Sequence, residues 1–337
     1  MSNKNILFTA PYVTEIVDCK MPQIDGDKVL VKIVRSSISA GTDRANLVGD
    51  PNINSLKGPS VNFPRQGGYS ASGIVCAVGE DVTSVKVGDR VACSWTKHSQ
   101  YFALQESRVY KLDDRVSFGA GALVHIATFP MAAIRKCKVE VGESAIVMGL
   151  GVLGMIAVQL LRASGAVPII AVDPVQKKRE QALSLGADFA LDPFDPDFTK
   201  KVKDITDGGA AAAIEVTGKG QGLDMVLDCV RPMARIALLG CTRNSDFSID
   251  YYRKVHGTGV TLIGAHTQAR PKFDSYNGWW TERDDALAIL KLIAGGRVDL
   301  DFLVEEIYSP IDGPEVYTRL ANSPAFPVVQ FDWSDFE

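Results

Sequence analysis

The stretch SAIVMGLGVLGMIAVQLLRAS, residues 144–164, decides the fold. SAIVM is a continuous apolar run of strand length, and GMIAVQLLRAS carries apolar residues at helical spacing. Between them lies GLGVLG, Gly149 to Gly154. A G-x-G-x-x-G pattern alone is weak, because glycine is common and a tight turn can serve structure only. Strand before and helix after give it a specific reading. Gly149 makes the tight turn, Gly151 lets the backbone approach a pyrophosphate, and Gly154 allows helix and strand to pack closely. Val152 and Leu153 open the helix, whose free N–H groups and partial positive charge favour a phosphate.

Outward from this turn, the next strand-like run, VPIIAVD, ends on Asp173, nineteen positions beyond Gly154. An acid there accepts the ribose hydroxyls of a dinucleotide and repels a 2′-phosphate, so NAD is expected over NADP unless Lys177, Lys178 or Arg179 compensates. KKREQALSLG reads as a helix, and AAAIEVTG, ARIALLGC and VTLIGAH as later strands. Alternating strands and helices with apolar runs imply α/β architecture, a doubly wound parallel sheet covered on both faces, over residues 125–266.

The flanking sequence has another texture. In KVLVKIV (28–34), Val29, Val31 and Ile33 alternate with Lys28 and Lys32. SGIVCAVG and DRVACSW suggest further strands punctuated by glycines, so residues 1–124 read as a turn-rich β domain. TERDDALAILKLIAGG reads as an amphipathic helix and FPVVQFDW as a strand, and residues 267–337 are expected to return to that β domain. With 337 residues, 46% of them hydrophobic, the chain can fill two cores. A net charge of −4 with scattered basic residues excludes a cationic stripe for nucleic acid or an anionic bilayer. No leader pattern and no long apolar span appears, so a cytoplasmic protein is expected. The six cysteines stand singly, as buried thiols do in a reducing compartment, and their spacing argues against a structural zinc site.

Several motifs stand in a fixed order: SISAGTDRA (37–45), GGYSASGIVCAVG from Gly67, VGDRV (87–91), GLGVLG, and AVDPVQKKREQALSLGAD (171–188). On these the chain resembles the medium-chain dehydrogenase/reductase superfamily over nearly its whole length. The resemblance implies a GroES-like catalytic domain built from both chain ends, a Rossmann cofactor domain, an active site in the cleft, and a homodimer joined through strands such as VTLIGAH. It also assigns Thr128, Thr217, Gly240, Cys241 and His266 to the cofactor, with His125 at the entry to the cofactor domain.

Zinc-dependent members read Cys-Gly-Thr-Asp where this chain has Ala40-Gly41-Thr42-Asp43, and Gly-His-Glu where it has Gly68-Tyr69-Ser70. Their third ligand falls on Val124, and the four-cysteine lobe is missing. Alanine, tyrosine and valine supply no ligand set for catalytic zinc, so no metal is expected. The GLGVLG loop is closer to the alcohol and polyol branch. The SAGT and GY combination is similar to a branch that includes bacteriochlorophyllide dehydrogenases. Without a Lewis acid, a side chain must handle the alcohol proton. Thr42 matches the family's relay hydroxyl, although AGTD can equally be a turn. Tyr69 occupies a former ligand position, and its alternative is core packing. His98, before the strand QYFAL, can shuttle a proton or simply be exposed. Asp43 is expected to order the loop. In DSYNGWW (274–280), Trp279 and Trp280 can stack on a sugar or cyclitol, or else serve as core anchors.

The expected activity is therefore a zinc-independent, NAD-dependent oxidation of a secondary alcohol on a polar small molecule, of the sugar or polyol class. Two other readings stand beside it: an NAD(P)H-dependent quinone or enone reductase, and a non-catalytic dinucleotide-binding redox sensor.

Overall fold

Val29, Val31 and Ile33 are fully buried, as their alternation requires. The computed structural model describes residues 2–53, 59–323 and 325–336. The chain forms two units, 1–126 with 286–337, and 127–285.

In the first unit, strands β1 (Asn3–Ala10) and β2 (Val13–Cys19) pair antiparallel. A larger sheet is built from β3 (Lys28–Ser37), β4 (Ser70–Val78), β5 (Arg90–Ser94), β6 (Tyr101–Gln105) and β7 (Val109–Lys111), completed by β14 (Glu306–Tyr308) and β15 (Val329–Asp332). Numbering runs in chain order. The sheet order is β14-β15-β3-β4-β5-β7, with β6 also on β3. FPVVQFDW thus returns as β15, antiparallel to β3, and buries Phe331 and Trp333 beside Ile6, Phe8 and Tyr317. The turn expected at AGTD is a helix, α1 (Ala40–Val48). Asp43 explains the difference. Its carboxylate turns back to accept the Ser39 N–H at 2.9 Å, which satisfies a donor ahead of the first turn. Short α2 (Phe118–Gly121) follows, then α3 (Val124–Lys136), whose first residues lie in this unit.

The second unit carries six parallel strands among the described residues: β8 (Ala145–Met148), β9 (Ile169–Val172), β10 (Phe189–Leu191), β11 (Ala210–Glu215), β12 (Val230–Leu238) and β13 (Thr261–Gly264). Their order, β10-β9-β8-β11-β12-β13, is that of a doubly wound sheet, with the chain reversing direction between β8 and β11. The helices are α4 (Val152–Ser164), α5 (Gln176–Ser184), α6 (Phe198–Ile205) and α7 (Gly220–Cys229). Both faces of β8, β9 and β11 are buried, as their unbroken apolar runs require.

Residues 267–285, expected with the β domain, fall in the second unit. Arg270 Nη2 donates to the Thr128 carbonyl at 3.3 Å, and Arg135 Nε donates to Asp285 Oδ1 at 2.8 Å, which binds this stretch to α3. Helix α8 (Glu282–Ala294) follows, and α9 (Gly313–Asn322) packs in the first unit. The cysteines are free. Cys93, Cys137 and Cys229 are buried as expected, whereas Cys76 and Cys241 are exposed. Among the described residues no helix is long and apolar enough to cross a membrane.

Candidate active site

The glycine turn joins the C-terminal end of β8 to the N-terminus of α4. Gly149 has φ +99°, a conformation that L side chains rarely adopt. A Cβ on Gly154 would lie 1.9 Å from the Gly149 carbonyl oxygen, so helix and turn touch here backbone to backbone. Gly151, the N-cap of α4, is exposed, and a Cβ there would meet no atom within 4 Å. Open space in front of the first-turn N–H groups of Val152 and Leu153 is what a diphosphate requires.

Asp173 follows β9 and is 7% exposed. Its Oδ2 accepts the Leu150 N–H and its Oδ1 the Val175 N–H, both at 2.9 Å, so it also fastens the glycine turn to the next strand end. Each oxygen keeps acceptor capacity for a hydroxyl. Arg179 Nη1 donates to the carbonyls of Asp173 and Pro174, at 2.7 and 2.9 Å, and faces Asp192 at 3.3 Å. Lys178 is half-buried on α5.

Thr217 lies beyond β11, its side chain against Gly149. Its N–H and hydroxyl both donate to buried Glu215, whose carboxyl is pushed up by burial against the pull of these donors. Gly240 and Cys241 close on the Gly218 backbone, so the ends of β8, β11 and β12 gather the expected cofactor residues. His266, past β13, accepts the Gln268 N–H at 3.2 Å on Nδ1. Its pKa is lowered by burial first, then by the charges of Lys136 and Arg243. The residues present fit a nicotinamide dinucleotide.

In the first unit, the Tyr69 hydroxyl donates to Ser39 Oγ, a short contact thirty positions apart in sequence. The Tyr69 ring meets His125 edge-on at 5.3 Å and Trp95 at 6.3 Å, and Trp95 meets His125 at 4.8 Å. Asp43, fully buried, ties this group together: its Oδ1 accepts the Gly68 N–H at 2.9 Å while its Oδ2 holds Ser39. Thr42 stands beside it on α1, half-buried. The expected loop-ordering role of Asp43 thus has a definite content, since one carboxylate fixes both backbone segments that carry the Tyr69–Ser39 pair.

His98 is not the exposed histidine that one of its two readings expected. It is 0% exposed, and its Nδ1 pairs with Ser36 Oγ at 2.8 Å, while Ser36 accepts the Trp333 indole N–H at 2.9 Å. Its Nε2 lies 3.6 Å from Asp43 Oδ2. It stands behind Asp43, away from solvent. Ser39 and Trp95 escape sequence reasoning altogether: one is a small polar residue before a helix, the other an aromatic at a strand end that reads as core.

Trp279 and Trp280 lie in the second unit and are engaged by α3. Arg135 stacks over Trp280 at 3.5 Å and Lys136 over Trp279 at 4.7 Å. Arg135 also pairs with buried Asp285 at 2.8 Å. Each of these cations covers one face of its ring, a contact that fits the anchor alternative.

At the three positions that the resemblance matches to zinc ligands, Ala40 offers a methyl group, Val124 an isopropyl group at 0% exposure, and Tyr69 a phenol already donating to Ser39. This donor set does not fit zinc. Among the described residues no three His, Cys, Asp or Glu side chains come together to hold a metal.

The family described as alcohol dehydrogenase GroES-like domain matches residues 25–139, and that described as zinc-binding dehydrogenase matches residues 152–280. An L-threonine 3-dehydrogenase of Pyrococcus abyssi is 26% identical over 91% of this chain and 92% of its own length. A D-guloside 3-dehydrogenase of Escherichia coli K12 is 26% identical over 95% and 96%. The fold is shared with a crystal structure of an Escherichia coli oxidoreductase of unknown specificity, at TM-score 0.85 and 22% identity over 98% and 99% of the two chains. Two domain matches in this order, together spanning more than half of the sequence, make the chain a member of the medium-chain dehydrogenase/reductase superfamily of oxidoreductases.

Proposed function

We propose that the protein is a zinc-independent, NAD-dependent dehydrogenase interconverting a secondary alcohol and a ketone on a polar substrate of the sugar or polyol class. The observation that carries this reading is the Tyr69–Ser39 hydrogen bond, a phenol and a hydroxyl paired where zinc-dependent relatives place a ligand. When bound, the nicotinamide supplies the hydride acceptor. The chain's own residues divide the rest. The glycine turn and the start of α4 hold the diphosphate, and Asp173 takes the ribose hydroxyls. A 2′-phosphate would meet the Asp173 charge with Arg179 turned to backbone carbonyls, which favours NAD over NADP.

With its own proton first released to water, Tyr69 as phenolate accepts the substrate's hydroxyl proton at Oη, and Ser39 Oγ, its hydrogen-bond partner, orients that oxygen. Thr42 offers a second hydroxyl on the same helix turn, and Asp43 keeps Ser39 and Gly68 in register. The Trp95 and His125 rings give the pair an apolar flank that limits water. The substrate class draws support from the L-threonine and D-guloside dehydrogenases that match the chain. A homodimer would use β13, whose outer edge has no partner strand among the described residues.

The test is turnover with NAD on panels of polyols, sugars and hydroxy amino acids, beside enones and quinones with NADH. Oxidation of an alcohol from the first panel by metal-free protein is expected. Turnover of enones alone, or stoichiometric zinc in active protein, overturns the proposal.

A further inference from the structure

His98 is sealed inside the first unit, and the hydrogen bonds around it leave one place for its ring proton. The C-terminal strand closes this space. Phe331 of β15 stands opposite Ser36 of β3, and the Trp333 backbone N–H donates to the Val34 carbonyl at 2.9 Å, which brings the Trp333 ring to Ser36. Phe331 and Tyr317 meet the His98 ring edge-on, at 5.2 and 6.2 Å. Gly68 lies against its Cδ2 edge at φ +80°, and a Cβ there would come within 2.8 Å of His98 Cδ2. The ring is thus held in one orientation.

An indole N–H can only donate, so the bond from Trp333 Nε1 to Ser36 Oγ, at 2.9 Å, has a fixed direction. Ser36 Oγ has one other partner among the described residues, His98 Nδ1 at 2.8 Å. Ser36 is 1% exposed, so its hydrogen needs an acceptor inside the protein, and that acceptor is the Nδ1 lone pair. A proton on Nδ1 would make Ser36 an acceptor twice over and strand its own hydrogen, which is costly in a buried place. The ring proton consequently sits on Nε2, which stands 3.6 Å from Asp43 Oδ2. The opposite tautomer would turn a lone pair toward that carboxylate, with both side chains 0% exposed.

We propose that Trp333 and Ser36 fix His98 as the tautomer protonated at Nε2, and that this N–H holds Asp43 in its bonds to Ser39 and Gly68. The consequence for turnover rests on the dehydrogenase reading above, in which those bonds keep the Tyr69–Ser39 pair in place. No proton moves along this line. His98, Ser36 and Trp333 act through Asp43 and are positioning residues. The end of the chain thereby sets the geometry of a cluster whose other members lie in its first hundred residues.

Nitrogen NMR of histidine-labelled protein, free of NAD and substrate, reads the tautomer directly at about pH 8, above the ordinary imidazole pKa of about 6.5. The chain has four histidines, and the ring signals that persist in each of His125→Asn, His256→Asn and His266→Asn belong to His98. A protonated Nε2 with a bare Nδ1 is expected. A proton on Nδ1, alone or together with one on Nε2, overturns the proposal. Amide hydrogen exchange then tests the hold on Asp43. In Ser36→Ala the Ser39 and Gly68 amides are expected to exchange about tenfold faster or more, while Val75, bonded to the Asp89 carbonyl in the same unit, keeps its rate. Trp333→Phe keeps an aromatic ring without the donor that orients Ser36, and should move the same two amides in the same direction. Unchanged Ser39 and Gly68 rates in either folded variant, or an equal acceleration at Val75, overturn the proposal. Neither measurement uses turnover, so a failure here is distinct from a failure of the dehydrogenase reading.

Discussion

Gly151 and Gly154 stand three positions apart in one turn, and alanine at each should fail for opposite reasons. At Gly154 the added methyl would lie 1.9 Å from the Gly149 carbonyl oxygen, where real Cβ atoms keep at least 3.0 Å. Helix α4 or the turn must therefore move by about 1 Å, against backbone that has no rotamer to offer, and overpacking of this kind costs about 1–3 kcal/mol. The upper end applies here, because both obstacles are main chain. At about 2–4 °C of Tm per kcal/mol for a domain of this size, Gly154→Ala should melt on the order of 10 °C below the parent.

Gly151 has φ −73° and no neighbour within 4 Å of the added atom. Its substitution costs only the N-cap preference, about 1 kcal/mol or less, and hence at most about 2–4 °C. Yet its methyl would fill the space in front of the α4 N–H groups. Losing one or two charge-assisted hydrogen bonds to phosphate, at about 1.5 kcal/mol or more each, should weaken NADH binding at least about tenfold. Differential scanning fluorimetry with and without NADH, together with a fluorescence titration of NADH, reads both quantities. Parent-like NADH affinity in Gly151→Ala would refute the diphosphate cradle. An unchanged Tm in Gly154→Ala would refute the backbone contact.

Three further outcomes are expected. Asp173→Ala should lose about 1–3 kcal/mol of NAD affinity and bind NADP relatively better, because it removes the ribose acceptor and the charge that opposes a 2′-phosphate; competitive titration of the two dinucleotides checks this. Tyr69→Phe should lower kcat about 100-fold or more with Tm nearly unchanged, in line with loss of a general base, and steady-state kinetics on whichever alcohol the parent oxidises decide it. Lys136, whose ammonium donates to the Gly264 carbonyl, has its pKa lowered to about 8, by burial first and the Arg270 charge second. A depressed value means that its contribution is complete above the unfolded pKa near 10.5 and is lost as pH falls through about 8. Relative to Lys136→Met, the parent should therefore gain up to about 2 kcal/mol of stability between pH 7 and 10, read by urea unfolding.

The cofactor domain was legible because its signals are local. Strand, turn, helix and acid follow one another within thirty residues, and each is recognisable from period, glycine spacing or position. The cluster proposed to handle the proton is the reverse case. Tyr69 and Ser39, Asp43 and Gly68, and His98 and Ser36 are joined across 30, 25 and 62 positions. Nothing in the immediate neighbourhood of any of them announces its partner. AGTD looks like a turn because glycine and aspartate favour turns, and only the Asp43 bonds, back to the Ser39 N-cap and across to distant Gly68, show why it opens a helix instead. The cation contacts of the tryptophans were illegible for a related reason, since Arg135 and Lys136 lie more than a hundred positions before the rings they cover.

The pattern has a physical cause. A dinucleotide is held mainly by backbone, which restricts residues to those that let the chain approach, and such restrictions are written in glycines at fixed spacing. A proton is handled by side chains, which many residue types can place at one point in space if the scaffold brings them there. On the zinc-free reading proposed above, the absence of a ligand is written in the sequence at Ala40, while the side chains proposed in its place carry no such local mark. Tyr69 and Ser39 belong to that second kind. Asp43 holds both in place through bonds to Ser39 and Gly68, with His98 packed behind it. That makes Asp43 the residue on which the proposed site depends most, since its removal would release both segments at once and leave His98 buried without the carboxylate it faces.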